Sequence, residues 1–283
     1  MACAVNGDII YLFLTEIQQK RKEKRKFMEN LNIKGIRIGR GRPVICIPVV
    51  AEGKEEIISR IRELGEKHTP MIEWRADLFE NVQDPEQVKE ILEAVKDAVP
   101  DTVFLFTIRT VKQGGRGEME EKKILYLNEL AAKSGCVDLI DLEFFEATRP
   151  EKAIRRLQRM GVRVIASHHD FQETPDNRIL RMLLEQMEAG GADIAKLAVM
   201  PKNAGDVLRL MTLTNEVREK YPDLPVVTMS MGGLGVLSRI GGELSGSCIT
   251  FGAYGAVSAP GQLQADELGD ILDTIHKSMS GKK

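Results

Sequence analysis

The sequence predicts an α/β protein, a (β/α)8 TIM barrel whose bottom is covered by an N-terminal β-hairpin. Three observations carry this expectation. From Pro43 onward, short apolar runs alternate with longer stretches of helical period, the signature of parallel strands joined by helices. The apolar runs number eight, which favours a closed barrel over an open sheet. The chain has 283 residues, and a barrel of roughly 250 residues uses nearly all of them.

Each element has a local reason. Residues 33–38, followed by Gly39-Arg40-Gly41 and Arg42-Pro43, read as a hairpin before the first barrel strand. The strands are expected at 44–50, 71–74, 103–108, 137–142, 162–167, 194–199, 226–229 and 249–251. Good helix formers fill 85–98, 118–134 and 203–220, and a last helix over 266–277 closes the chain. Pro85 behind Asp84 reads as a first-turn proline after a cap, and Gly135 as a helix stop. No G-x-G-x-x-G follows the first strand, which removes the dinucleotide signature. No linker or repeat suggests a second domain, so 31–283 is expected to be one catalytic domain.

Residues 1–30 differ and are expected to be a poorly ordered extension. Their apolar patch, Ile9 to Leu14, precedes a basic run from Lys20 to Lys26. A signal peptide has the opposite order. Met28-Glu29-Asn30 leads directly into the patterned sequence and is an alternative start. The composition, 43% hydrophobic and 29% charged with a net charge of −2, is that of a soluble globular protein. It gives no footprint for nucleic acid, and no apolar run suggests a membrane span. Cys3, Cys46, Cys136 and Cys248 are widely separated with no C-x-x-C. Neither a disulfide framework nor a zinc site is expected, and the cytoplasm is the natural compartment.

Lys196 lies inside the apolar run Ala192 to Pro201. An ammonium in a buried strand is costly unless it is neutral or has a task, and a neutral amine attacks carbonyls. Polar residues gather where the strands end, the catalytic end of a barrel: Glu73 and Arg75, Arg109, Glu143, His168-His169-Asp170, Ser230 and Arg239. Imine chemistry needs a proton shuttle, and His169, at the end of the preceding strand, is the candidate. Consecutive strand residues point opposite ways, so only one of His168 and His169 faces the lysine. His68 and His276 are read as structural.

The strings Glu73-Trp74-Arg75, Ser167 to Phe171, Lys196 to Pro201, Thr228 to Met231 and Ser258 to Gln262 resemble type I 3-dehydroquinate dehydratase in order and spacing. The resemblance runs from about Ile33 to the final helix. It implies a hydro-lyase of the shikimate pathway, converting 3-dehydroquinate to 3-dehydroshikimate without metal or organic cofactor, and a homodimer. It further implies that Lys196 forms the imine and His169 moves the protons. Arg239 would pair with the substrate carboxylate, and Glu73, Arg75 and Arg109 would surround the ring hydroxyls. Ser258 and Gln262 would belong to a closing loop, with Phe171, Met229, Met231 and Phe251 as apolar lining.

One position departs from the family pattern, which commonly has a glutamate where this chain has Gln113, in Lys112-Gln113-Gly114-Gly115. The amide retains a hydrogen bond to the histidine but supplies no charge, so slower proton transfer or a shifted pH optimum is expected. Two other readings stay open. Gly232-Gly233-Leu234-Gly235 follows the seventh strand, where barrels bind phosphate, as a Schiff-base aldolase of a sugar phosphate would. A barrel that binds a ligand without catalysis is the other.

Overall fold

The structure, a computed structural model, describes residues 31–255, 259 and 261–281. The expected extension over 1–30 lies outside them. Strands β1 (Leu31–Ile33) and β2 (Ile36–Ile38) form an antiparallel hairpin, two residues longer at its start than the sequence suggested. Its turn places Lys34 and Gly35 at φ 51° and 81°, the left-handed pair that a two-residue hairpin requires.

Eight parallel strands follow: β3 (Val44–Val49), β4 (Met71–Arg75), β5 (Val103–Thr107), β6 (Leu139–Glu143), β7 (Arg163–Asp170), β8 (Ile194–Val199), β9 (Val226–Ser230) and β10 (Ile249–Phe251). They pair in chain order, and β10 pairs with β3. Cys248 N donates to Val226 O at 2.9 Å, which brings the last two strands together and closes the barrel. The outer layer is α1 (Lys54–Glu66), α2 (Pro85–Val95), α3 (Glu121–Lys133), α4 (Pro150–Gln158), α5 (Asn177–Ala189), α6 (Ala204–Lys220), α7 (Val236–Ile240), α8 (Gly242–Ser245) and α9 (Ala265–Ser280). Asp84 caps α2 by accepting from Glu86 N, with Pro85 in the first turn, as its spacing implies.

The period of two sorts every strand between two cores. Val44, Cys46, Met71, Val103, Leu139, Ile165 and Ile194 pack inside the barrel, together with Ile38 of the hairpin. Ile45, Ile72, Phe104, Ile140, Val164 and Ala195 face outward, against the helices. The hairpin is fixed beneath the barrel by Lys34 Nζ, which donates to Val99 O and Thr102 O at 2.9 Å and pairs with Asp138 at 2.8 Å. Val99, Thr102 and Asp138 precede β5 and β6, so the contact lies at the strands' N-terminal ends. The opposite mouth is left for polar groups.

Two boundaries correct the sequence reading. His168, His169 and Asp170 lie within β7, not after it, because their backbone continues the ladder with Leu197, Ala198 and Val199 of β8. The expected strand over 137–142 starts at Leu139 and includes Glu143. Among the described residues no helix is long and apolar enough to cross a membrane.

Candidate active site

Alternation that buries Leu139 inside the barrel also turns Asp141 and Glu143 inward. The same parity on neighbouring strands sends Glu73, Ser167, His169, Lys196 and Ala198 into the upper mouth. Ser167 is the register partner of Lys196, and His169 that of Ala198. The histidine therefore stands one inward position above the lysine's level, on the adjacent strand. His168 points outward, its ring edge-on to Phe145 with centroids 5.4 Å apart.

Lys196 is 4% exposed, yet its surroundings are not the apolar ones that its strand suggested. Its Nζ donates to Asp141 Oδ2 at 3.0 Å and lies 4.6 Å from the Phe251 ring centroid. The same carboxylate takes Arg109 Nη2 at 2.9 Å and the Ser167 hydroxyl at 2.5 Å. Arg109 Nη1 donates to Glu143 Oε1 and Ser167 Oγ, both at 3.0 Å. Thr110 in turn donates to Glu143 through its backbone N–H at 2.9 Å and its hydroxyl at 2.6 Å. Every charge in this buried chain has an opposite partner and further hydrogen bonds, the condition under which buried ions are tolerated.

The electrostatics follow from the geometry. Burial pushes the Asp141 carboxyl up, but the Arg109 and Lys196 cations beside it hold it far below the usual carboxylate range. Burial pulls Arg109 down, and Asp141 and Glu143 more than restore it. His169 is held well below the ordinary histidine range, first by burial and then by Arg109 and Lys196. The imidazole is therefore neutral at pH 7 and available as a base.

Gln113 orients that imidazole. Its Oε1 accepts from His169 N at 2.8 Å and faces His169 Nδ1 at 3.1 Å. A backbone N–H only donates, so the atom facing it must be the amide oxygen, and Nδ1 must carry the proton. Nε2 is left as the basic nitrogen. Gln113 itself sits at the end of a short 3-10 turn whose next residue, Gly114, has φ 83°. A Cβ at Gly114 would fall 2.4 Å from the Phe171 ring, so the segment approaches its neighbour as only glycine allows.

The remaining candidates line one cavity of ≈ 190 Å³ with Lys196, His169 and Gln113: Glu73, Arg75, Arg109, Arg239 and Gln262, beside apolar Phe171, Met229, Met231 and Phe251. Glu73 Oε1 accepts from Thr107 Oγ1 at 2.8 Å. Arg75 is fixed by a two-pronged pair with Asp77, both contacts 2.8 Å. Arg239 is 2% exposed, and burial pushes its guanidinium down to about 10. Gln262 Oε1 accepts from Ala259 N at 3.3 Å. This loop meets the turn after β9 at Gly261, where a Cβ would lie 2.2 Å from Gly232 O. Ser258 lies outside the described residues. The two histidines read as structural stand elsewhere: His276 Nδ1 lies 2.8 Å from Glu243 Oε1, and His68 takes a left-handed turn at φ 52°.

Sequence reasoning missed Asp141 and Ser167 and left Glu143 without a partner. The signal was present in Leu139-Ile140-Asp141-Leu142-Glu143: two carboxylates two residues apart on a buried strand share one face. Among the described residues no group of His, Cys, Asp and Glu is arranged to hold a metal ion.

The chain is similar to known proteins over most of its length. The family model for type I 3-dehydroquinase matches residues 45–279. The 3-dehydroquinate dehydratase of Clostridioides difficile (strain 630) is 42% identical over 251 residues, covering 88% of this chain and 98% of the relative. That of Bacillus subtilis (strain 168) is 40% identical over 255 residues, 90% of this chain and 100% of the relative. Among solved structures, the C. difficile type I 3-dehydroquinate dehydratase with covalently modified comenic acid superposes with a TM-score of 0.84 at 42% identity. It covers 88% of this chain and 98% of that one. The Geobacillus kaustophilus 3-dehydroquinate dehydratase gives the same score at 35% identity, with the same coverage. A parallel eight-stranded barrel, a family match over most of its length and relatives at 40% and 42% identity agree: the chain belongs to the type I 3-dehydroquinase family of hydro-lyases.

Proposed function

We propose that this protein dehydrates 3-dehydroquinate to 3-dehydroshikimate through a Schiff base on Lys196. The observation that carries the proposal is the placement of one buried lysine, one neutral imidazole and one buried arginine around a single small cavity. Its ≈ 190 Å³ suits a one-ring molecule better than a drug-sized one. Family membership favours the dehydratase over the sugar-phosphate aldolase and the non-catalytic barrel. A relative's structure holds covalently modified comenic acid, in keeping with covalent chemistry in this fold.

In this mechanism Lys196 Nζ passes a proton to His169 Nε2 and adds to the C3 ketone, and His169 returns that proton to the carbinolamine hydroxyl, which leaves as water to give an iminium. The iminium withdraws electrons from C2, so that His169 Nε2 takes the C2 proton and an enamine forms. The enamine then expels the C1 hydroxyl, which leaves as water with the proton held by His169. Hydrolysis of the resulting iminium consumes one water and returns the lysine, for a net loss of one water from the substrate. Asp141 keeps Nζ aimed into the mouth, and Gln113 keeps His169 Nε2 unprotonated. Arg239 binds the carboxylate with its planar fork, while Glu73, Arg75, Arg109, Gln262 and Ser258 bind and cover the ring.

We further propose that residues 31–283 act as one catalytic domain, working as a homodimer in the cytoplasm. Cys46, Cys136 and Cys248 are buried free thiols, which suits a reducing compartment. A monomer in sedimentation analysis, or recovery from a secreted fraction, would remove these assignments. The main proposal is tested by adding 3-dehydroquinate to the purified chain with a chelator and following the absorbance of the conjugated enone product. Steady growth of that band is expected; a folded protein that leaves the substrate unchanged contradicts it.

A further inference from the structure

We infer that Glu143 is a positioning residue for His169. Through Thr110 and the turn that carries Gln113, its carboxylate fixes the tautomer in which the imidazole works. This rests on the reading of His169 as the base. Glu143 is 6% exposed and is not among the residues that line the catalytic cavity, so it acts on the chemistry only through its neighbours.

Gln113 cannot hold itself in place. Its Oε1 takes both His169 contacts, the backbone N–H at 2.8 Å and Nδ1 at 3.1 Å. Its Nε2 has no hydrogen-bond partner among the described residues. The amide is thus anchored on one side, and its backbone must place it. That backbone is a tight turn closed on one residue: Gln113 N and Gly115 N both donate to Thr110 O, at 3.0 and 2.8 Å. A Cβ at Gly115 would fall 1.9 Å from Arg109 O, so the turn folds back closely against the end of β5.

Thr110 is where the turn is pinned. Glu143 Oε1 accepts its backbone N–H at 2.9 Å, and Oε2 accepts its hydroxyl at 2.6 Å. Two contacts to one carboxylate fix the rotation of Thr110 as well as its position. Oε1 also takes Arg109 Nη1 at 3.0 Å. Nη2 of that guanidinium reaches Asp141, the partner of Lys196, at 2.9 Å. Glu143 therefore anchors both the arm that ends on the imidazole and the arm that ends on the amine. Proton transfer demands such alignment, since a displacement of about 1 Å can cost about 100-fold in rate.

The test compares T110V, T110S and E143D in the full chain. T110V removes the hydroxyl contact but leaves the Arg109–Glu143 pair, and T110S keeps the hydroxyl. E143D keeps the charge but is one methylene too short to reach Arg109 and Thr110 together. The 15N resonances of the two His169 ring nitrogens are read at pH 7 without substrate. They should stand far apart in the native chain and in T110S, as a single Nδ1–H tautomer requires. In T110V and E143D they should draw together as the tautomers mix. In T110V, kcat for 3-dehydroquinate should fall about tenfold with KM changed less than about twofold, and T110S should recover it. Should one of T110V and E143D fail to fold, the other decides. Unmoved ring resonances in either folded variant, or a loss in T110V that T110S shares, would overturn the inference. A native chain without turnover would instead remove the proposed reaction, while the ring resonances would still report on Glu143.

Discussion

Asp141 Oδ2 accepts from Lys196 Nζ at 3.0 Å, and both groups are almost wholly withdrawn from solvent. The lysine is thus held by a fixed counterion, which itself leans on Arg109 at 2.9 Å. Removing the charge should unbalance the whole mouth.

D141N preserves shape but leaves Arg109 and Lys196 without their shared carboxylate. Breaking a buried pair in this way should cost about 3 kcal/mol of stability. The sign with pH is also fixed. The folded-state carboxyl lies below its unfolded value of about 3.9, so its contribution is complete above that value and is lost as pH falls toward the folded one. The melting temperature of the native chain should therefore decline below about pH 4, with a shallower decline in D141N. Parallel curves for the two proteins would remove the counterion role.

His169 works as a base only when neutral, and burial, Arg109 and Lys196 favour that form. The acidic limb of kcat/KM should therefore lie below about pH 6.5. Q113E would put a carboxylate where the amide oxygen now faces Nδ1 at 3.1 Å. The imidazolium would be favoured, moving that limb up by about one pH unit. Superimposable profiles would show that the group at 113 does not act on the histidine.

R239K retains a cation but not the planar fork. KM for 3-dehydroquinate should rise by about tenfold or more, with kcat changed far less. A large fall in kcat at unaltered KM would mean that Arg239 acts on the chemistry instead of holding the carboxylate.

G114A tests the glycine beside the histidine's partner. At φ 83°, with a new Cβ 2.4 Å from the Phe171 ring, the segment must shift and carry Gln113 with it. Destabilisation of about 1–2 kcal/mol is expected, together with a reduced kcat. Urea midpoints and turnover measured on one preparation check both.

Much of this was legible in the chain. The strands are buried on both faces and separated by helical periods, so the apolar runs, their count and the chain length together predict the barrel. Lys196 was visible because a cation interrupts such a run, and His169 because it follows the neighbouring one. Asp141 was hidden for a physical reason. It lies inside the strand expected over 137–142, but only the register across β6, β7 and β8 shows that its carboxylate meets the lysine. The role of Gln113 became readable from the family pattern, but the atom facing the histidine and the resulting tautomer needed distances.

The central claim is that Lys196 is the nucleophile. Incubation with 3-dehydroquinate and borohydride, followed by peptide mass spectrometry, tests it most directly. The account predicts a reduced substrate adduct on Lys196 in the native chain and no adduct in K196A. An adduct on another residue, or product formation with none on Lys196, would contradict it.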